Sequence, residues 1–414
     1  MNLRKNKRCG TGVWMIMACL CMAAGLATTA GIAQTTGAGM IGDLVKEAKH
    51  KFAPDRRTTV FDVHAETRGT VTILTGEIHG AALKEKLLGF LKENGATSIV
   101  DSITTLPHSS LGEKTYAVVS LSVANVRTRP DHPAEMGTQA ILGTPLRVLK
   151  KEQGGWFYVQ TPDEYLGWTD DRIVLMTETE FAAWRRLPKV IITTEFAIAR
   201  EKPEAGSQAV SDLVAGCLLA LKADAGAFYE VGYPDGRTAL VRKEDAVPYA
   251  QWLERAQATS ETIVSTAKRF FGVPYLWGGT SAKGMDCSGF TKTVYFLNGL
   301  LLPRDASQQV FVGDLVETAA DLDLRPGDLL FFGFKATPER RERVTHVAIS
   351  VGGKRFIHAS GGEGVRINSL DPGDADYSEF REETFLRAKR IIGSAKEHGV
   401  QSLRDLAYYG RQAE

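Results

Sequence analysis

The sequence predicts an α+β protein made of several small modules, and three observations support this fold class. Short alternating apolar segments with Gly and Pro turns recur between residues 116 and 247, as in small β barrels. From residue 248 onward, helical patterns are followed by a run of strand patterns, which is the order of an α+β domain. In that last region Cys287 opens a predicted helix, and His346 and His358 lie on two consecutive predicted strands.

Length and charge restrict the possible functions. The chain has 414 residues, of which 43% are hydrophobic, and this is enough for two to four domains. Its formal net charge is +1, and no polybasic run occurs beyond the N-terminus. We therefore expect no nucleic-acid partner, because nothing in the charge distribution would attract a phosphate backbone.

Residues 1–33 have the features of a secretory signal peptide. A basic stretch precedes an apolar stretch that ends in small residues at Ala33, as signal peptidase requires. We expect export to the periplasm, the cell envelope or the medium, with no membrane span after cleavage. A retained membrane anchor is the alternative, and a lipid anchor at Cys19 is another, although Met17 fits a lipobox poorly.

The remaining chain divides into five segments. Residues 40–107 alternate between helix and strand patterns, and Gly95 follows the second helix as a C-cap would. The next two segments repeat one series of short strands, and a helix ended by Pro188 links them. The predicted segments are a small α+β module at 40–107, all-β modules at 116–178 and 190–247, an α+β domain at 248–393, and a C-terminal tail at 394–414.

The α+β domain is predicted to start with one long helix over residues 251–271. A second helix follows over residues 286–298, with Asp286 or Ser288 suited to cap its start. Cys287 lies at the N-terminus of that helix, where unpaired amides favour a thiolate, and a nearby imidazolium would favour it further.

Signal cleavage would leave two of the five cysteines, Cys217 and Cys287. Cys217 lies in an apolar run and is predicted to be a buried strand residue; a disulfide with Cys287 is the alternative. Cys287, next to polar residues in a glycine-rich turn, is the candidate nucleophile. With His346 and His358 it predicts acyl transfer through a thioester, most often amide hydrolysis. A zinc site made of the same three residues would lack a fourth ligand, so we expect no metal and no other cofactor.

The chemistry also constrains the hairpin that joins the two histidine strands. A two-residue turn at Gly352 and Gly353 would place the rings on opposite faces of the sheet, because side chains alternate along a strand. A three-residue loop over residues 351–353, or an equivalent bulge, would place both rings on one face. We predict this second register, with His346 and His358 as direct cross-strand neighbours.

Six short motifs occur in order through residues 258–393. They are Tyr275-Leu276-Trp277-Gly278-Gly279, Asp286-Cys287-Ser288-Gly289, Pro303-Arg304-Asp305-Ala306-Ser307-Gln308-Gln309, Arg325-Pro326-Gly327-Asp328-Leu329, His346-Val347-Ala348-Ile349 and Ile357-His358-Ala359. Together they resemble the NlpC/P60 family, which are papain-like cell-wall peptidases. The resemblance implies that Cys287 is the nucleophile, His346 the base and His358 the orienting third member.

The segments before this domain also resemble known modules. The first all-β module, with Gly155-Trp156 and Gly167-Trp168, resembles bacterial SH3 (SH3b) domains, and the second resembles a diverged copy. The segment at 40–107 weakly resembles the BON domains of bacterial envelope proteins. The implied architecture is a papain-like NlpC/P60 catalytic domain preceded by two small all-β SH3b barrels and a small N-terminal α+β module.

This arrangement is similar to one branch of the family, the γ-D-glutamyl-L-diamino acid endopeptidases. Members of that branch release L-Ala-γ-D-Glu from peptidoglycan stem peptides and need a free N-terminal L-Ala. The resemblance implies substrate-binding roles for Glu135 and Tyr165 from the first barrel, and for Asp286, Ser288 and Ser307 from the catalytic domain. Carboxylates suit the ammonium group of L-Ala. The residues alone also allow an ordinary role for each side chain: Glu135 would be a surface residue, and Tyr165 would pack inside the barrel.

We therefore expect a monomeric enzyme that acts on peptidoglycan stem peptides or muropeptides. Two other functions stay open at this point. One is a wall-binding SH3b protein with an inert catalytic domain, against which the intact Cys287, His346 and His358 argue. The other is a general NlpC/P60 endopeptidase, amidase or acyltransferase. Either diaminopimelate or lysine fits as the diamino acid.

Overall fold

The computed structural model describes residues 30–204, 206–316, 324–394 and 396–409. Most of the predicted signal peptide, residues 1–29, lies outside this part of the chain. Within it, no helix has the length and apolar character that a membrane crossing demands. Sheets and helices alternate in separate units along the chain, which confirms the α+β class.

The N-terminal module places two helices on one side of a three-stranded sheet. Its elements are α1 (Ala30–Phe52), β1 (Phe61–Arg68), β2 (Val71–His79), α2 (Ala81–Glu93) and β3 (Ile99–Leu106). β1 and β3 flank β2, antiparallel and parallel to it respectively. The core forms where Val45 and Leu91 of the helices meet Leu74 and Ile78 of the sheet. Gly95 has a φ of +81°, so it ends α2 in the left-handed conformation that glycine favours.

The next two modules are seven-stranded sheets. The first contains β4 (Tyr116–Val119), β5 (Val123–Arg127), β6 (Met136–Ile141), β7 (Pro145–Lys151), β8 (Phe157–Gln160), β9 (Leu166–Thr169) and β10 (Ile173–Met176). The second contains β11 (Lys189–Ile192), β12 (Phe196–Arg200), β13 (Ala209–Val214), β14 (Leu218–Ala225), β15 (Phe228–Gly232), β16 (Thr238–Arg242) and β17 (Ala246–Pro248). Between them α3 (Glu178–Arg186) begins with a capping box of Thr177 and Glu180 and ends before Pro188.

The two sheets have the same strand order. The first runs β10-β4-β7-β8-β9-β5-β6, and the second runs β17-β11-β14-β15-β16-β12-β13. Matching the seven strands of each module in chain order makes the two orders identical, which agrees with two copies of one module. The modules also share a core, because Val123 and Leu142 of the first pack among the buried residues of the second.

The last domain surrounds a six-stranded sheet. Its helices are α4 (Tyr249–Arg255), α5 (Ser260–Arg269), α6 (Cys287–Phe296), α7 (Ala306–Gln309) and α8 (Glu379–Thr384). Its strands are β18 (Thr280–Ser281), β19 (Gly284–Met285), β20 (Leu300–Leu301), β21 (Asp314–Val316), β22 (Leu329–Phe334), β23 (Arg343–Gly352), β24 (Arg355–Ser360), β25 (Gly364–Ser369) and β26 (Phe385–Arg390). The large sheet has the order β21-β26-β22-β23-β24-β25, and α6 packs through Phe290 and Val294 onto the same core as Val347 and Ile357.

The prediction of one long helix over residues 251–271 was wrong. The segment forms α4 and α5, separated by four residues. The Thr259 side chain accepts a hydrogen bond from the Thr262 amide and so starts a new helix. The Thr262 hydroxyl oxygen in turn accepts a hydrogen bond from the Thr259 amide, which completes a capping box that an apolar periodicity does not reveal.

The C-terminal segment joins the fold instead of leaving it. β27 (Gln401–Ser402) pairs with β20 of the catalytic domain. Leu403 and Tyr409 are buried against Ile191 and Leu218 of the second barrel. The segment therefore connects the catalytic domain to that barrel.

Candidate active site

Cys287 stands at the first position of α6, as the sequence predicts. Asp286 caps the helix, because its Oδ1 accepts a hydrogen bond of 2.7 Å from the Gly289 amide. Its Oδ2 accepts a second bond, of 2.9 Å, from the Gly278 amide. These bonds fix the turn that presents the thiol, whose residue is 7% exposed.

A buried arginine supports this turn from below. Arg304 is 1% exposed, and its guanidinium forms a fork on Asp286, with Nη1–Oδ1 and Nη2–Oδ2 distances of 3.0 and 2.6 Å. Nη1 also donates to Ser288 Oγ at 3.0 Å, and Nε donates to Thr138 Oγ1 of the first barrel at 2.9 Å. Asp286 and Ser288 thus face the cleft while already bonded to Arg304. Arg304 lies within one of the six sequence motifs, but the sequence alone assigned it no role.

Three polar side chains form a hydrogen-bonded row on neighbouring strands. His346 Nε2 lies 2.7 Å from His358 Nδ1, and His358 Nε2 lies 2.9 Å from Asn368 Oδ1. The Asn368 amide in turn donates to the Asp376 carbonyl at 3.0 Å. Asn368 lies on β25 and belongs to no motif, so nothing local in the sequence marks it.

The predicted register of the histidine hairpin was right about the face and wrong about the neighbours. Both rings lie on one face, with centroids 4.9 Å apart. However, Ile349 pairs with Ile357, and continuing that register places His358 opposite Ala348, diagonal to His346. The turn has two residues, Gly353 and Lys354, and a bulge at Val351 adds the extra residue to β23 alone. That bulge restores the common face without lengthening the loop.

The Cys287 thiol lies close to the backbone of β23, the strand that carries His346. The Val347 amide lies close enough to the sulfur of Cys287 to oppose the rise of its pKa, and Cys287 packs in one core with Val347 and Ala359. Burial, and then the charge of Asp286, raise the pKa of the Cys287 thiol to about 12. Burial also lowers the pKa of His346 well below its usual range. The expectation of a resting thiolate was therefore wrong, because burial penalises both charges and favours a neutral thiol and a neutral imidazole.

A cleft of about 1100 Å³ opens over Cys287. It is lined by all five residues predicted to bind substrate, namely Glu135, Tyr165, Asp286, Ser288 and Ser307. His346 and His358 are buried, at 7% and 1% exposure. Cys217 is also fully buried, and both it and Cys287 are free thiols, so the alternative of a disulfide between them is wrong.

The first barrel reaches the cleft through two side chains. Glu135 Oε1 accepts a hydrogen bond of 2.7 Å from Trp277 Nε1, so the carboxylate is held against the catalytic domain. Tyr165 donates to Asp305 Oδ2 at 3.4 Å. Sequence reasoning missed Asp305 as well as Tyr275. The phenol of Tyr275 lies near Cys287 and Asp286, and burial raises its pKa.

Comparison with known proteins identifies both parts of this site. Residues 272–380 match the NlpC/P60 family, and residues 126–171 match the bacterial dipeptidyl-peptidase Sh3 domain. Over 264 residues the chain is 30% identical to dipeptidyl-peptidase 6 of Lysinibacillus sphaericus, covering 62% of this chain and 92% of that relative. The chain belongs to the NlpC/P60 family.

Further relatives agree with this family. The γ-D-glutamyl-L-lysine dipeptidyl-peptidase of Bacillus cereus (strain ATCC 10987 / NRS 248) is 32% identical over 233 residues, covering 54% of this chain and 67% of that relative. A crystal structure of an NlpC/P60 family protein from Bacillus cereus ATCC 10987 matches with a TM-score of 0.57 and 28% identity, covering 67% of this chain and 99% of that one. The NlpC/P60 fold, the first SH3b domain and the cysteine peptidase class are thereby confirmed. Both matched family regions lie C-terminal to residue 125.

Proposed function

We propose that this protein is an exported cysteine peptidase that cuts the bond between γ-D-Glu and the diamino acid of peptidoglycan stem peptides with a free N-terminal L-Ala. One observation carries the proposal: Glu135 and Tyr165 of the first barrel share a cleft with Cys287. Two relatives are named for a γ-D-glutamyl-L-lysine bond, which fits this substrate class.

The polar groups of the cleft suit an ammonium group. Since Trp277 occupies Oε1 of Glu135, Oε2 is the oxygen that can meet a ligand. The hydroxyl proton of Tyr165 points to Asp305, so the lone pairs of its oxygen can accept a hydrogen bond. A carboxylate and a phenol oxygen are good partners for a cationic amine, and capping that amine would remove the ion pair.

The hydrogen-bonded row on the sheet sets the tautomer of the base, that is, which ring nitrogen of His346 carries the proton. Asn368 uses its amide nitrogen on the Asp376 carbonyl, so its Oδ1 faces His358 and accepts from Nε2–H. Neutral His358 then has a lone pair on Nδ1, which accepts Nε2–H of His346. His346 is left with a lone pair on Nδ1. That nitrogen is the one that can take a proton from the thiol.

The chemistry follows from this arrangement. His346 Nδ1 takes the Sγ proton of Cys287 as the sulfur attacks the γ-carbonyl carbon of D-Glu. The tetrahedral intermediate collapses to a thioester, and the imidazolium returns the proton to the departing amine of the diamino acid. Water then attacks the thioester, giving its proton to His346, and the released thiolate is reprotonated. The dipeptide L-Ala-γ-D-Glu leaves with a new carboxyl group.

Two groups near the sulfur can stabilise the negative oxygen of the intermediate. The first turn of α6 presents amide N–H groups beside Cys287. Tyr275 keeps its phenol proton, because burial raises its pKa. Donors that are in place before the reaction stabilise a developing oxyanion without reorganisation.

Export rests on residues 1–33 alone, which precede the part of the chain that carries the site. The substrate test uses purified protein with L-Ala-γ-D-Glu-diaminopimelate and its N-acetylmuramoyl form, with products read by mass spectrometry. We expect release of the dipeptide from the free peptide and a rate about a hundredfold lower on the capped one. Equal rates on both would overturn the free-amine requirement and favour a general wall endopeptidase.

A further inference from the structure

The segment between α1 and β1 leaves the N-terminal module and enters the cleft. The Leu166 amide of the first barrel donates to the Arg57 carbonyl at 2.7 Å, and Gln160 Nε2 donates to the Thr58 carbonyl at 2.9 Å. Both bonds hold the backbone of this segment against β8 and β9. Arg57 then lines the same cleft as Cys287.

The Arg57 side chain joins two domains through a single guanidinium. Nε and Nη2 form a fork on Asp55, with Nε–Oδ1 and Nη2–Oδ2 distances of 2.9 and 2.7 Å. Nη1 donates to Asp305 Oδ2 and to Ser307 Oγ, each at 2.8 Å. Gln308 Nε2 adds a bond of 2.8 Å to Asp55 Oδ2, so both members of the fork contact the catalytic domain.

The charges of this cluster do not cancel. Burial alone would raise the pKa of Asp55, but hydrogen bonds from Arg57 and Gln308 outweigh it and lower the pKa to about 2. Burial alone would lower the pKa of Arg57, yet Asp55 and Asp305 hold it above its usual range. Two carboxylates and one guanidinium leave one net negative charge, so the cluster remains compatible with a cationic ligand.

Arg57 also decides which atoms of its neighbours point toward a ligand. A guanidinium carries donors only, so Ser307 must accept from it, and the Ser307 hydroxyl proton is then directed elsewhere. Asp305 Oδ2 receives both Arg57 and Tyr165, which keeps the Tyr165 proton away from the cleft. The cluster thus presents Ser307 as a donor and Tyr165 as an acceptor.

We propose that Arg57 is a positioning residue of the substrate subsite and that the N-terminal module is a working part of the cleft. The donor at Ser307 suits a carbonyl or carboxylate oxygen of L-Ala-γ-D-Glu, and the acceptor at Tyr165 suits its ammonium. This inference rests on the proposed function. It extends the site to a segment outside both matched family regions.

The test measures binding of L-Ala-γ-D-Glu and of its N-acetyl form by titration calorimetry, in a Cys287→Ala background so that no turnover occurs. We expect Arg57→Ala to weaken binding of L-Ala-γ-D-Glu about tenfold, because the ligand loses one oriented donor. Arg68→Ala is the matched control. Arg68 makes the same fork on an acid two positions earlier, Glu66, but both side chains are exposed and make no bond to the catalytic domain in the described residues. We expect that variant to change binding less than twofold.

A double-mutant cycle separates positioning from loss of fold. If Arg57 acts through Ser307, Arg57→Ala should add little to the effect of Ser307→Ala. If Arg57→Ala lowers the melting temperature, Arg57→Lys is measured in its place, because it keeps the charge but not the fork. Equal affinities of Arg57→Ala and Arg68→Ala, or full additivity with Ser307→Ala, would overturn the inference. A parent that binds both peptides equally contradicts the free-amine requirement, yet the comparison with Arg68→Ala still decides the role of Arg57. Failure of the parent to bind either peptide would overturn both.

Discussion

The two β barrels share one strand order but are used differently. Glu135 of the first barrel and Gln208 of the second occupy equivalent positions before β6 and β13. The equivalence follows from matching backbone bonds, since Thr128 donates to the Glu135 carbonyl and Glu201 to the Gln208 carbonyl, at 2.9 and 3.0 Å. The first barrel therefore offers a carboxylate where the second offers a neutral amide.

The second position differs more. Thr161 donates to the Tyr165 carbonyl at 3.0 Å, and Tyr233 donates to the Arg237 carbonyl at 2.9 Å, so Tyr165 and Arg237 are equivalent. Arg237 carries donors only, and it bonds at 2.7 Å to the carbonyl of Ser120 in the first barrel. The position that the proposed function assigns to a ligand acceptor in one copy thus carries a donor used for packing in the other.

The second barrel is attached to its neighbours on several sides. Lys283 and Arg269 of the catalytic domain pair with Asp212 and Glu195 of the barrel, each at 2.6 Å. Under the proposed function, the same fold therefore supports recognition in the first copy, while the second copy makes contacts between domains. The two barrels differ in their contacts because of the side chains at their strand ends, since their strand order is the same.

The largest expected effect belongs to neither barrel. We expect Cys287→Ala to lower the rate of hydrolysis by several orders of magnitude, because the nucleophile of a linked group of residues is lost. Binding of L-Ala-γ-D-Glu should survive, since the first barrel is unchanged. Single-turnover assays and calorimetry check both parts; residual activity within tenfold of the parent would contradict a thiol mechanism.

Exchanging the barrel side chains tests the comparison itself. Glu135→Gln gives the first barrel the residue type of the second, and we expect KM for the free-amine peptide to rise about a hundredfold with the loss of the ion pair. The preference over the capped peptide should largely disappear. Gln208→Glu makes the reverse change in the second barrel and should leave KM and kcat within twofold. Similar effects from both variants would show that the barrels do not differ in this way.

A change in the catalytic sheet should alter the pH profile without altering recognition by the first barrel. Burial lowers the pKa of His358 to about 4, with Asn368 opposing it, and lowers that of His346 as well, so activity should persist below pH 6.5. A carboxylate favours the charged imidazole, so Asn368→Asp should raise both pKa values and move the acid limb of kcat/KM upward by about one pH unit.

Asn368→Ala is the control for this change, because it removes the oriented acceptor without adding a charge. It should lower kcat by about tenfold with no upward movement of the acid limb. Profiles of kcat/KM between pH 4 and pH 8 distinguish the two variants. If the acid limb of the kcat/KM profile of Asn368→Asp did not move, the row of His346, His358 and Asn368 would not control the base.

The smallest effect tests the assembly role of the second barrel. Arg237→Ala leaves the Ser120 carbonyl without its arginine and leaves Asp235 with Arg172 alone, and we expect it to lower the free energy of unfolding by about 2 kcal/mol. Denaturant unfolding measures this change. Peptide kinetics should stay within twofold of the parent, and a selective rise in KM would mean that this barrel also takes part in recognition.

Much of this protein was predictable from short-range patterns. Alternating apolar residues and turn signals predicted the sheets, and Asp286 before Cys287 predicted the cap that presents the thiol. These signals act within a few residues of the chain, so they can be read without knowing the fold. The resemblance to NlpC/P60 peptidases brought Glu135, Tyr165 and Ser307 into one expected cleft with Cys287, and the structure places them there.

Only the tertiary structure decided the contacts that complete the site. The bulge at Val351 set the histidine register, and Asn368 closed the hydrogen-bonded row from a third strand. Burial kept Cys287 a thiol despite its place at a helix start. Arg57 and Asp305 meet across 248 positions of the chain. Such contacts depend on how separate domains pack, and an exposed-looking arginine in a connector carries no local sign that a distant carboxylate will bind it.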